Sequence, residues 1–242
     1  MDTAVVQRSH VRKSFSGFKL EHGLLSDLRG DQFPTTLSAW SDDCLVMAEG
    51  ATHFAYVHEG TCSLASASGQ FTLGPGMVFC VPGKGMVSGH GEGIVVSRHG
   101  YRGFFQIGGP IEERGRLKYI DGCTDSLLIP PVMLGDPCFN LLHFPPGINQ
   151  TQHTHPSMRV GIVASGVGLC ITPTETIPLV PGQAFVIHAW GLHSFATADT
   201  AMRVIAYHPD SDFGPTDEDH PMINRTIVGG RSASIIGEIR TR

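Results

Sequence analysis

The chain has 242 residues, which suits one large domain or two domains of about 120 residues each. A hydrophobic fraction of 41% supports a packed core, and a charged fraction of 16% excludes a disordered chain. The net charge of -5 and the lack of a basic run argue against nucleic acid as a partner.

Targeting signals are equally lacking in the sequence. No stretch approaches about 18 consecutive apolar residues, and residues 1–18 lack the apolar centre of a secretory signal. The 6 cysteines form no C-x-x-C pair, so free thiols are expected. We therefore expect a cytoplasmic protein that binds neither membrane nor nucleic acid.

Short segments rich in Val, Ile, Phe and Thr alternate with Gly and Pro along the chain, which predicts an all-β barrel or sandwich. The clearest predicted strands cover residues 44–48, 54–60, 76–83, 93–99, 139–144, 158–166, 182–190 and 202–208. Residues 23–30, GLLSDLRG, favour a short helical turn instead, which ends at a glycine.

The two halves of the chain resemble each other. Residues 74–82, GPGMVFCVP, align without a gap on residues 180–188, VPGQAFVIH. This repeat predicts two barrels in tandem. We divide the chain into an N-terminal extension (1–40), a barrel without a metal motif (41–115), a metal-binding barrel (116–208) and an acidic C-terminal extension (209–242).

A histidine pair opens the second predicted barrel. His153 and His155 are separated by one residue, so on an extended segment both imidazoles project to the same face. His193 follows 38 residues after His155, and a hairpin in a small barrel would bring it to the pair. Three neutral imidazoles suit Fe(II), Zn, Cu or Ni and leave coordination positions for a substrate or O2.

Residues 147–166 and 182–197 resemble the two metal-binding motifs of the cupins, with all three histidines in matching positions. The first half resembles an eroded cupin, because Val87 stands where the motif has histidine and no H-x-H precedes Gly60. The resemblance implies a bicupin, two double-stranded β-helix (jelly-roll) barrels with one metal site. Cupins commonly associate through sheet edges, so a homodimer is also expected.

The chain departs from the cupin pattern at one ligand. Arg159 replaces the usual glutamate, and an arginine cannot ligate a metal. The resemblance then points to three-histidine sites, as in the thiol, diketone and gentisate or salicylate dioxygenases. By strand alternation Arg159 faces inward with the histidines, which makes it the candidate catalytic residue and a fork for a substrate carboxylate. Trp190, Phe195 and His143 are further candidates for substrate binding.

The resemblance implies an Fe(II)-dependent dioxygenase whose partners are O2 and a small substrate that carries a carboxylate or chelates iron. Two alternatives stay open. With Fe, Zn, Ni or Mn the same site would suit rearrangement, including N–N bond formation, isomerisation or lyase chemistry. A cupin that binds a small molecule without catalysis is the second alternative.

Overall fold

A computed structural model describes residues 13–211 and 225–239, and the predicted all-β class is confirmed. The strands of the first half are β1 (Phe15–Phe18), β2 (Gly23–Leu28), β3 (Thr35–Ser41), β4 (Leu45–Met47), β5 (Ala51–Ser66), β6 (Gly69–Leu73), β7 (Val78–Pro82), β8 (Gly85–His99) and β9 (Gln106–Gly108). Those of the second half are β10 (Leu117–Lys118), β11 (Thr124–Ile129), β12 (Cys138–Phe144), β13 (Arg159–Ser165), β14 (Gly168–Ile171), β15 (Thr176–Leu179), β16 (Ala184–Ile187), β17 (Ser194–Ala196) and β18 (Met202–His208). A 3-10 turn covers Ile120–Gly122.

The first barrel is one 8-stranded sheet that bends around its own core. Strands β2, β3, β8, β5, β7 and β9 follow one another, with β4 added to β8 and β6 to β5. The antiparallel pair β5 and β8 is 16 and 15 residues long, so it runs through both faces of the barrel. Side chains such as Trp40, Leu64, Phe79 and Val95 fill the interior.

The second barrel has a 7-stranded sheet and a 3-stranded sheet. Their orders are β1-β16-β13-β18-β12-β11-β10 and β15-β14-β17. The two sheets share an apolar core that includes Phe144, Cys170, Phe185 and Phe195. The three histidines of the predicted metal site belong to this barrel.

A third core lies between the two barrels, where their large sheets pack against each other. The first barrel contributes side chains such as Phe54 and Ile94, and the second contributes Phe139, Leu141 and Tyr207. Along β12 the side chains alternate, so Phe139 and Leu141 enter this third core while Leu142 and Phe144 do not share that face.

The internal repeat is visible in the backbone. The Gly76 N–H donates to the carbonyl of Val57 at 2.9 Å, and the Gly182 N–H donates to that of Val163 at 2.9 Å. These glycines have φ angles of 78° and 79°. The two segments that align in sequence therefore form the same turn in each barrel, in agreement with the two tandem barrels expected from the repeat.

Two expectations for the N-terminal region are corrected. Residues 23–30 do not form a helical turn, because β2 pairs antiparallel with β3 along its length and this sheet pairing outweighs a weak local helix signal. In the described part of residues 1–40 the chain is not an extension, since β1 joins the second barrel through β16 while β2 and β3 join the first.

The C-terminal region after Ser211 forms a separate unit. Most of the acidic segment of the predicted extension, residues 212–224, lies outside the described residues. Within 225–239 the chain forms the short hairpin β19 (Ile227–Val228) and β20 (Arg231–Ser232), then 3-10 turns at Ala233–Ile235 and Gly237–Ile239. Among the described residues, no helix has the length and apolar character needed to cross a membrane.

Candidate metal centre

Backbone pairing brings the three predicted histidines together. The His153 N–H donates to the His193 carbonyl at 2.9 Å, and the His193 N–H donates back to the His153 carbonyl at 3.0 Å. His155 is separated from His153 by one residue and therefore lies on the same face. Each histidine offers one ligand nitrogen, and these atoms all lie within 4.8 Å of one another.

Hydrogen bonds fix how two of the imidazoles are presented. Nδ1 of His153 bonds to the Thr151 carbonyl at 2.8 Å, and Nδ1 of His193 bonds to the Gly191 carbonyl at 2.9 Å. A carbonyl only accepts, so Nδ1 carries the proton and Nε2 carries the lone pair. Nε2 of His193 is buried and has no hydrogen-bond partner among the described residues. This donor set fits a transition metal, which would take the place of the missing partner.

The electrostatics of the cluster keep two of its ligands, His155 and His193, neutral. Burial lowers the pKa of His155 to about 3, with further lowering by the Arg159 charge and the neighbouring histidines. Burial also lowers the pKa of His193 to about 4. Neutral imidazole is the form that binds a metal, so no proton has to be displaced from these two rings at neutral pH.

A mostly apolar cavity adjoins the ligand nitrogens. It is lined by Tyr119, Leu142, Phe144, Gln150, His153, His155, Arg159, Phe185, Ile187, His193, Phe195, Val204, Ala206 and His208. Its volume is about 20 Å³, close to the space of a single water molecule. A ligand larger than a water molecule therefore enters only when side chains of the lining move.

Arg159 begins β13 and points into this cavity. Its Nη1 donates to Ser157 Oγ at 2.6 Å and to the Met158 carbonyl at 2.9 Å, and lies 3.4 Å from Asp210 Oδ1. The Ser157 hydroxyl also donates to Asp210 Oδ1. Nε of Arg159 is buried without a partner, and Nη2 makes no hydrogen bond within the described residues. The edge formed by Nε and Nη2 is therefore left for a bidentate acceptor such as a carboxylate.

The other predicted substrate-binding residues are placed differently. Phe195 lies in the cavity wall, 5.2 Å from Phe144 and 5.7 Å from His193 between ring centroids. Trp190 does not line the cavity, because it sits in a turn at φ 63° with its side chain 64% exposed. His143 also lies outside the lining, since strand alternation places it on the opposite face of β12 from Leu142.

Two cavity residues, His208 and Tyr119, lie outside the two matched motifs. His208 ends β18 on the same face as Ala206, and burial lowers its pKa well below the usual value. Tyr119 lies in the connection between β10 and β11, outside any motif. The position of His208 at the end of a strand was the only available indication; for Tyr119 the sequence offered none.

At two of the three ligand positions the first barrel has apolar residues, and at the third it has the exposed Glu49. The offset that relates Gly76 to Gly182 also relates Met47 to His153 and Val87 to His193. Met47 is 2% exposed and Val87 is 0% exposed, and both belong to the core of the first barrel. The described residues of this barrel contain no comparable cluster of ligands.

Comparison of the chain with known proteins identifies its fold. No protein-family model and no curated protein matches the chain. Among solved structures, the Cupin 2 conserved barrel domain protein from Leptotrichia buccalis is similar at TM-score 0.55 and 11% identity, covering 80% of this chain and 88% of that one. The fold is that of the cupins.

Two further structures support this cupin fold. Protein Ylba from E. coli is similar at TM-score 0.55 and 19% identity, over 84% of this chain and 86% of that one. Salicylate 1,2-dioxygenase from Pseudoaminobacter salicylatoxidans, in its adduct with gentisate, is similar at TM-score 0.56 and 13% identity, over 73% and 68%. The chain therefore combines the fold of these proteins with a three-histidine cluster.

Proposed function

We propose that this bicupin is a non-haem Fe(II) oxygenase that acts on a small substrate bearing a carboxylate. The observation that carries the proposal is the cluster His153, His155 and His193, whose ligand atoms lie within 4.8 Å of one another beside Arg159 in an apolar cavity. A salicylate 1,2-dioxygenase among the similar structures supports oxygenase chemistry on this fold.

The three histidines would hold the iron, which supplies electron transfer between a coordinated substrate and O2 when bound. The remaining groups of the chain orient the substrate and exclude water. Arg159 binds the carboxylate through Nε and Nη2, while Ser157 and Asp210 hold its Nη1. Phe195, which is 4% exposed, keeps one wall of the site dry.

Metal content tests the proposal directly. Protein purified without added metal is analysed by inductively coupled plasma mass spectrometry together with His153→Ala and the matched control His143→Ala. We expect near-stoichiometric iron in the wild type and the control, and loss of iron in His153→Ala. Oxygen uptake is then measured with thiols, diketones and hydroxylated aromatic acids.

The identity of the bound metal distinguishes the oxygenase from the alternative functions. Zinc, nickel or manganese that depends equally on His153, without oxygen uptake, would contradict the oxygenase and favour rearrangement, isomerase or lyase chemistry. Absence of metal from the wild type and both variants would leave a small-molecule-binding cupin.

A further inference from the structure

The interior of the second barrel holds a carboxylate without a cation. Asp125 lies in β11 directly opposite Leu142, a residue of the cavity wall, so the two side chains share the inner face of the sheet. Oδ2 of Asp125 accepts a hydrogen bond from Asn140 Nδ2 at 3.2 Å. Oδ1 is buried without a hydrogen-bond partner, and Asp125 forms no ion pair with any described residue.

Asn140 adds a second unused acceptor beside it. Asn140 is 6% exposed, and its Oδ1 is also buried without a hydrogen-bond partner among the described residues. The pair therefore presents two acceptor oxygens and needs N–H donors. Burial raises the pKa of Asp125 to about 6, which leaves it ionised at neutral pH. Asp125 is half-buried, and its buried Oδ1 has no partner among the described residues, so a cationic N–H donor would be attracted to it.

The charges of Asp125 and Arg159 act on the same part of the barrel. Burial raises the pKa of Tyr119, which lines the cavity, while Arg159 lowers it and Asp125 raises it. Burial likewise raises the pKa of Cys138 to about 11, and both charges contribute there with opposite signs. Arg159 and Asp125 do not pair with each other. Among the described residues, the barrel interior thus holds one cationic edge and one anionic oxygen without partners, and Leu142 lines the cavity directly opposite Asp125.

We propose that the substrate is zwitterionic, with its carboxylate on the Nε–Nη2 edge of Arg159 and an ammonium group on Asp125 and Asn140. This rests on the proposed carboxylate site and narrows its substrates to amino acids and related amino carboxylates. An ammonium group has three N–H donors, of which two would bind the free oxygens Oδ1 of Asp125 and Oδ1 of Asn140. Because the cavity holds only about 20 Å³ and Asp125 does not line it, side chains of the lining such as Leu142 have to move for the ligand to reach Asp125.

The test compares matched probes that differ only in the amino group. Glycine, β-alanine, γ-aminobutyrate and δ-aminovalerate are titrated against acetate, propionate, butyrate and valerate in zinc-loaded, nitrogen-15-labelled protein. The Nε–H signal of Arg159, identified by its loss in Arg159→Lys, reports binding. We expect the best-fitting amino carboxylate to bind at least about tenfold more tightly than its plain carboxylate, and Asp125→Asn to remove this gain without changing carboxylate affinity.

Two variants separate recognition from structure. Asn140→Leu, which removes the amide oxygen at similar volume, is expected to reduce the gain several-fold. The matched control Glu113→Gln neutralises an exposed carboxylate and should leave it intact. Thermal unfolding of each variant confirms that it is folded.

Each result decides a different question. Equal affinity for amino and plain carboxylates, or a gain that survives Asp125→Asn, would overturn the zwitterion inference and leave the oxygenase proposal standing. Failure of all eight probes to shift the Arg159 signal would remove the carboxylate site and the inference with it. Iron content and oxygen uptake would still test the oxygenase separately.

Discussion

At the residue scale, Arg159 has a large effect on the charge of the site, because the three ligands beside it are histidines. Three neutral imidazoles contribute no negative charge, so a divalent ion bound there would keep its full charge. Arg159 adds another positive charge in an apolar, partly closed cavity where electrostatic attraction is strong. A site built in this way favours an anionic substrate over a neutral one.

The variant Arg159→Leu tests this role. Loss of a charged bidentate hydrogen bond costs about 1.5–3 kcal/mol, so KM for a carboxylate substrate should rise by about 10- to 100-fold with iron retained. Steady-state kinetics and metal analysis on the same preparation measure both quantities. Arg102→Leu, which removes an exposed arginine, serves as the control. An unchanged KM would remove Arg159 from substrate binding.

The sequence located some site residues and could not locate others. The three histidines occupy fixed positions in two motifs, so their convergence follows from the pattern. Asp125 and Tyr119 lie in no motif, and only the pairing of β11 with β12 brings Asp125 to the barrel interior. The sequence does not place His143 correctly, because residues 139–144 are mostly apolar. Such a segment does not indicate which of its side chains face the interior of the second barrel.

At the element scale, tight glycine turns connect the barrel strands. Gly166 joins β13 to β14 at φ 73°, and a Cβ there would lie 1.9 Å from the Ala201 carbonyl oxygen. Gly147 has φ 75°, yet a Cβ added there would meet no atom within 4 Å. The two positions share a backbone conformation and differ in the space around them.

Alanine substitutions at Gly147 and Gly166 separate the steric cost of an added Cβ from the conformational cost of a positive φ. Gly147→Ala should lower the free energy of unfolding by about 1 kcal/mol, because alanine tolerates positive φ poorly. Gly166→Ala should cost several times more, since its methyl group collides with backbone that cannot move freely. Urea unfolding of both variants gives the comparison. Equal losses would show that crowding at Gly166 is relieved easily.

Apolar segments between Gly and Pro predict eight of the described strands, which are β4, β5, β7, β8, β12, β13, β16 and β18. The same pattern does not predict the other described strands. The helical turn predicted for the segment of β2 is wrong. The leucine spacing of this segment also fits one helical turn, but its pairing with β3 makes it a strand. Strand β1 has only 4 residues, and its partner β16 lies far along the chain, so no local pattern reveals it.

At the scale of the whole molecule, the two barrels share a buried core. Phe54 from one and Tyr207 from the other have ring centroids 5.2 Å apart, and Tyr207 is 0% exposed. Neither barrel covers its part of this core by itself. The repeat in the sequence predicts two barrels. It does not predict the extent of their shared core, because the side chains that form this core have the same types as those of other buried strands.

We therefore expect the two barrels to unfold together. Leu141→Ala, at a position 0% exposed in the shared core, should lower the free energy of unfolding by about 2–5 kcal/mol. Calorimetry of the full chain should show a single main transition for both barrels, before and after the substitution. Separate transitions, with only one shifted by Leu141→Ala, would show that the barrels are independent.

Strand β1 has a consequence for how the protein is made. It emerges from the ribosome before either barrel, yet its partner β16 is synthesised only after the first barrel and most of the second. Until then Phe15, which stacks on Phe185 at 5.5 Å in the finished protein, has no place to pack. The second barrel thus closes late in translation, and in the interval the nascent chain carries a strand whose edge is open to wrong partners.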